Sequence, residues 1–160
     1  MLIPSKNGEN IEVAREDVTS RLIEEIKPLF LKHWQEIGHY KDIELNPEWD
    51  TYIKLDSLGM LRVYSARLMG RIIGYNVFFV RNSPHYKQSL QASQDILFVD
   101  PEHRGFGLKF IDWCDQQLKA EGVQVVLQHM KAKHSFGPAL EKHLGYELID
   151  LIYGRRLDGR

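Results

Sequence analysis

The residues that invite chemistry first lie in the stretch DILFVDPEHRGFGLKF, Asp95 to Phe110, where Arg104, Gly105 and Gly107 separate an apolar run from an amphipathic one. A helix start leaves backbone N–H groups without partners and carries a partial positive charge. Glycines have no Cβ, so an anion can approach those N–H groups closely. With the Arg104 charge beside them, Gly105 and Gly107 read as a cradle for a phosphate or pyrophosphate. Glycines at such a junction also serve the turn alone, and the residues by themselves leave both readings open. Two common phosphate motifs fail here. A P-loop needs Gly-Lys-Ser/Thr, whereas Gly107 is followed by Leu108-Lys109; a dinucleotide fingerprint needs a third glycine where Phe110 stands.

The elements that must position this turn follow from periodicity. VTSRLIEEIKPLFLKHW has helical spacing at Leu22, Ile26, Leu29, Phe30 and His33/Trp34, with Thr19 or Ser20 as a cap and Gly38 past its end. Pro28 predicts a kink or an early stop in it. Asn46-Pro47 opens a second helix that Gly59 closes. MLRVYSARL and RIIGYNVFFV form two strands joined by a turn at Met69-Gly70, and QASQDILFV is a third strand, stopped by Pro101. GFGLKFIDWCDQQLKAEG is a helix, VQVVLQHM a buried strand, SFGPALEKHLG a short helix ended by Gly145, and YELIDLIYGRRL a last strand. NIEVARE offers a further strand near the beginning. The order is that of an α/β protein with a mixed sheet flanked by helices and a right-handed crossover from Gln91 to Met130.

Composition narrows the class. The 160 residues suit one domain, 1–160, with a sizeable core. A formal net charge of −1 gives no general drive toward nucleic acid or membrane, and no apolar run reaches the roughly 20 residues of a membrane helix. A single cysteine, Cys114, cannot form an intramolecular disulfide. Its place on an apolar helical stripe makes it an inert buried thiol rather than an acyl-carrying nucleophile. The seven histidines show no metal-binding spacing. These features describe a cytoplasmic protein without metal.

LFVDPEHRGFG resembles the acetyl-CoA-binding segment of the GNAT N-acetyltransferases, a strand ending in a hydrophobic-Val pair followed by Pro and an Arg/Gln-x-x-Gly-x-Gly/Ala turn. GRIIGYNVFFV is similar to that family's third strand, and ALEKHLGYEL to its closing helix, glycine and final strand; small phage or bacterial members are the nearest in kind. The resemblance implies the GNAT fold, acetyl-CoA as cosubstrate, and transfer of an acetyl group to a primary amine of a small molecule or protein by direct attack in a ternary complex. Main-chain groups of Phe98 and Val99 would then pair with the pantetheine arm, and N–H groups of Arg104, Gly105, Phe106, Gly107, Leu108 and Lys109 would hold the pyrophosphate.

For the chemistry, the resemblance implies that Asp95, four residues before Val99, is the base that takes the amine proton. Gln94 lies on the other face of the strand. The family's acid is a tyrosine on the last helix, where this chain has Glu141, and Lys109 stands where the family has a small residue. His134 and Tyr146 are substitutes for the acid, each with a competing structural role as a helix-start residue and a core aromatic. The departures at Lys109 and Glu141 keep open a degenerate domain that binds CoA or a protein partner without turnover. A nucleotide-binding or protein-interaction module built on the same cradle is a third reading. The aromatics and acids between His33 and Trp49, together with His85-Tyr86, either border the amine acceptor's pocket or are solvated faces of amphipathic helices. HMKAKH is a basic loop too short to argue nucleic-acid binding. A homodimer is compatible with all of this.

Overall fold

The computed structural model describes residues 1–159. Six strands form one sheet in sequential order: β1 (Leu2–Pro4), β2 (Asn10–Glu16), β3 (Leu61–Leu68), β4 (Arg71–Asn82), β5 (Leu90–Val99) and β6 (Val125–Leu127). All neighbours are antiparallel except β5 and β6, which run parallel across the expected helical crossover. NIEVARE is β2, and β1 pairs with it as a short edge strand that sequence reading missed. Met69 and Gly70, with φ of 50° and 80°, make the tight turn between β3 and β4.

The helices cover both faces. α1 (Ser20–Ile37) and α2 (Trp49–Ser57) lie over one face, where Leu22, Ile26 and Leu29 meet Val63, Tyr75, Val77 and Phe98. α3 (Gly107–Ala120) covers the other, where Phe110, Trp113, Cys114 and Leu118 meet Tyr64, Phe78, Val80 and Ala92. α4 (Gly137–Leu144) packs beside α3 and ends at Gly145, whose φ of 72° only glycine adopts cheaply. None of these helices is long and apolar enough to cross a membrane.

The Thr19 hydroxyl caps α1 by accepting from the Leu22 N–H at 3.2 Å. Pro28 does not stop the helix: α1 runs through it to Ile37. Pro28 sits on the exposed side, and Leu22, Ile26, Leu29 and His33 are buried on both sides of it, so packing offsets the missing bond to the Glu24 carbonyl. The second helix begins at Trp49 rather than at Asn46-Pro47.

One expected element is absent. YELIDLIYGRRL is not a strand: among the described residues, 146–157 pair with no other segment, and Leu148, Ile149, Leu151, Ile152, Tyr153 and Leu157 stand in solvent. Apolar content shows what a segment can bury when paired, but a strand exists only where another backbone lies alongside, and none of the described residues provides one. β6 is likewise shorter than VQVVLQHM suggested, ending at Leu127.

Candidate active site

The site begins with a fault in the sheet. Val77 of β4 faces Ile96 and Phe78 faces Gln94, so Asp95 is an extra residue in β5. Such a bulge breaks the alternation of side chains and re-aims the inserted one. Asp95 thereby reaches the face covered by α2 and accepts a hydrogen bond from the Tyr52 hydroxyl at 2.6 Å. Burial raises the Asp95 carboxyl above the usual carboxylate range, and the Tyr52 bond and His129 charge oppose part of that rise. Gln94 points elsewhere, as expected, and its Oε1 accepts from the His129 N–H at 2.7 Å.

Three aromatic neighbours complete this corner. The Tyr75 hydroxyl lies 3.0 Å from His33 Nδ1, and the His33 ring stacks on Phe98 with centroids 5.0 Å apart. Burial drives the His33 pKa down to about 4, so the imidazole is neutral near pH 7. Tyr52 and Tyr75 are both pushed up, chiefly by burial, and remain protonated. Val18, Ile26, Trp49, Tyr52 and Ile96 are among the walls of a cavity of about 30 Å³ under α1 and α2.

β5 continues past its neighbour. β6 pairs only with Gln91–Ser93, so among the described residues the remainder of β5, through Phe98 and Val99, has no strand on that side. The open edge leads to the glycine turn. Asp100 fixes the turn's entry: its N–H donates to the Ile73 carbonyl, its Oδ1 accepts from the Glu102 N–H, and its Oδ2 accepts from Lys32 Nζ at 2.9 Å. A single 3₁₀ turn, Pro101–His103, follows. Phe106 is buried against Phe110 and anchors the start of α3.

Gly105 has φ of 123°, and Gly107 opens α3 with empty space where a Cβ would stand. Among the described residues, no acceptor meets the N–H groups of Arg104, Gly105, Phe106, Gly107, Leu108 or Lys109. They form an open row of donors at a helix start. Lys109 is exposed, so its side chain does not fill the row.

Two cations are arranged differently from the sequence reading. Arg104 turns away from the row: its Nε donates to the Val99 carbonyl at 3.2 Å, and its guanidinium grips both oxygens of Glu36 on α1 at 2.7 and 2.6 Å. Lys6, from the turn between β1 and β2, lies across Gly105 instead. A Cβ at position 105 would fall 2.5 Å from its Cε and 2.6 Å from its Cδ.

The remaining two candidates lie apart from Asp95. The Tyr146 hydroxyl donates to Asp115 Oδ2 of α3 at 2.8 Å, and burial raises the Asp115 carboxyl to about 6. His134 is exposed in a second 3₁₀ turn, Ala132–His134. Sequence reading missed the partnership of Tyr52 with Asp95, of Tyr75 with His33, and the placement of Lys6. A histidine in the apolar register of α1, one turn after Leu29, was the available sign for His33.

The sequence matches no protein-family model and no curated protein. The fold does have counterparts among solved structures. The chain is similar to a ribosomal-protein-alanine N-acetyltransferase from Brucella melitensis biovar Abortus 2308, with TM-score 0.66 and 16% identity over 92% of this chain and 99% of that one. It is similar to a predicted acetyltransferase with acetyl-CoA from Clostridium acetobutylicum, with TM-score 0.65 and 16% identity over 92% and 96%. It is also similar to glucosamine-6-phosphate N-acetyltransferase from Arabidopsis thaliana, with TM-score 0.67 and 12% identity over 94% and 100%. The mixed sheet, the crossover and the flanking helices are those of the GNAT acetyltransferase fold.

Proposed function

We propose that this protein is an N-acetyltransferase that moves an acetyl group from acetyl-CoA to a primary amine of a small molecule or protein. The observation that carries the reading is the bulged Asp95, half-buried and raised in pKa, on the same strand that continues as an open edge into a row of unsatisfied N–H groups. Residues of this chain fit acetyl-CoA on that line. The free edge of β5 around Phe98 and Val99 suits an amide-bearing arm, and the open space at Gly107 admits a diphosphate to the donors from Gly105 to Lys109. Acetyl-CoA, when bound, supplies an activated carbonyl and a thiolate leaving group.

The chain's own groups then do the following. Tyr52 orients the Asp95 carboxylate, which accepts the proton the attacking amine must lose. A raised pKa suits this task, because a base works best with a pKa near the working pH. Neutral His33 and the Tyr75 hydroxyl line the same corner without adding a positive charge that would repel a cationic acceptor. Positioning of both substrates supplies much of the rate. Tyr146, held by Asp115 with its hydroxyl pushed up, keeps its proton near pH 7. His134 is the exposed group on the α4 side that can return a proton to the departing thiolate.

The fold's solved counterparts include enzymes named for aminoglycosides, a ribosomal protein and glucosamine 6-phosphate, so an amine panel spanning aminosugars and peptide N-termini is the direct test. Release of free thiol from acetyl-CoA with at least one such amine supports the assignment. Tight CoA binding without thiol release for any amine returns the chain to a non-catalytic binding domain.

A further inference from the structure

β5 and β6 separate at one point. Gln91, Ala92 and Ser93 lie beside Val125, Val126 and Leu127, and among the described residues the pairing stops there. The Gln94 side chain bridges the two arms just beyond, accepting from the His129 N–H at 2.7 Å. This makes a fork, with Asp95 on one arm and His129 on the other. The open edge of β5 runs between the glycine turn and the fork, so an arm laid along it from the turn has its far end there.

Alternation decides where the His129 ring points. Val126 packs with Ala92 in the core under α3. Gln128, on the same side, has its amide enclosed near the Tyr146 hydroxyl, which is bound to Asp115 of α3. Successive side chains of an extended chain point to opposite faces, so His129 projects to the face of α1 and α2. The bulge turns Asp95 to that same face. The action of His129 on the Asp95 carboxyl agrees with this placement. The ring is exposed, and among the described residues no side chain bonds or ion-pairs with it.

The other groups at this corner are committed. Tyr52 donates to Asp95, His33 is neutral beside the Tyr75 hydroxyl, and Glu36 and Arg104 are bound to each other. Tyr146 donates to Asp115 on the far face. Lys131, on the loop that follows His129, acts on His33 as a fixed cation. Among side chains, an imidazole is the one that both holds and releases a proton near neutral pH.

We infer that the His129 ring is the acid of the reaction, donating a proton to the departing thiolate while Asp95 on the facing arm takes one from the attacking amine. This role rests on the proposed acetyl transfer and assigns its proton donor. The amine nitrogen bonds to the acetyl carbon, the carbon–sulfur bond breaks with its electron pair going to sulfur, and sulfur receives the His129 proton. The amine proton, now on Asp95, crosses the fork to His129, directly or through water. Both groups are restored and no net proton is taken up. His134, further along in an exposed turn, is the competing donor.

His129→Ala removes an exposed ring and keeps the main-chain bond to Gln94, so far-UV circular dichroism should not change. It should lower kcat about 10²-fold, more than His134→Ala does, with CoA affinity by calorimetry within about two-fold of wild type. Imidazole in the buffer should restore part of the lost rate. A second readout needs no cofactor. The Asp95 carboxyl, followed by NMR in the protein alone, should titrate at higher pH in His129→Ala, because a nearby positive charge holds it down. An Asp95 midpoint that stays in place, a kcat within about two-fold of wild type, no rescue by imidazole, or a larger loss at His134 overturns the inference while the wild type still turns over. A wild type that releases no thiol with any amine overturns the acetyl-transfer reading as well.

Discussion

At the level of single residues, the Tyr52–Asp95 pair makes the sharpest demands. Removal of the base through Asp95→Asn should lower kcat by about 10²- to 10⁴-fold while CoA affinity stays within about two-fold, read from steady-state rates and calorimetry. Tyr52→Phe acts in a different direction. The Tyr52 bond holds the Asp95 pKa down, so its loss lets the pKa rise further, and the acid limb of the pH–rate profile should move to higher pH. An unmoved limb separates Asp95 from the titrating base. Lys6→Ala should weaken CoA binding by roughly five-fold and reduce its salt dependence, since one exposed cation is removed. The three residues differ in how visible they were. Asp95 stood at a motif's spacing, whereas Tyr52 is 43 residues from it and Lys6 reaches Gly105 from the other end of the chain. Such pairings depend on the register of the sheet, which no short stretch of sequence encodes.

At the level of elements, the turn between β5 and α3 separates two glycine roles. Gly107→Trp meets open space at its Cβ and should retain the fold while occupying the anion's room, abolishing measurable CoA binding by calorimetry. Gly105→Ala meets both a φ of 123° and the Lys6 stem, and should cost about 1–3 kcal/mol in denaturant unfolding. Equal destabilisation by the two would mean that the turn is merely structural. The two glycines, the capping Thr19 and the Gly145 stop were legible because each acts within one turn of chain. The bulge was not, because the extra residue in β5 is defined only against Val77 and Phe78 of β4. The early stop expected at Pro28 fails for a related reason: its local penalty is real, but buried apolar residues on either side of it carry the helix on.

For the molecule as a whole, Asp115 links stability to pH. Its folded carboxyl titrates at about 6 against an ordinary 3.8, so the folded chain binds the extra proton more tightly. The favourable contribution is present in full below about pH 4, falls as pH rises through 4 to 6, and is lost above that. Asp115→Asn should therefore raise the thermal midpoint by roughly 3 °C at pH 7.5, for about 1 kcal/mol, and flatten the slope of stability between pH 4 and 7. An unchanged slope in differential scanning calorimetry would remove Asp115 as its source. Strand and helix order was readable across nearly the whole chain because periodicity is local. Residues 146–157 were the exception: their apolar pattern reads as a strand, but pairing needs a second backbone alongside, which periodicity does not encode.

The sealed position of Cys114 has a practical sequel. Its thiol is enclosed by the core under α3 and, pushed well up by burial, stays as unreactive S–H. Every other position lacks sulfhydryl chemistry. A colour reagent for free thiols therefore sees no native protein background, and turnover can be followed continuously at enzyme concentrations high enough to detect a very slow acceptor. Sudden appearance of one equivalent of colour per chain, without any amine added, would instead report unfolding, so one cuvette reads both catalysis and integrity.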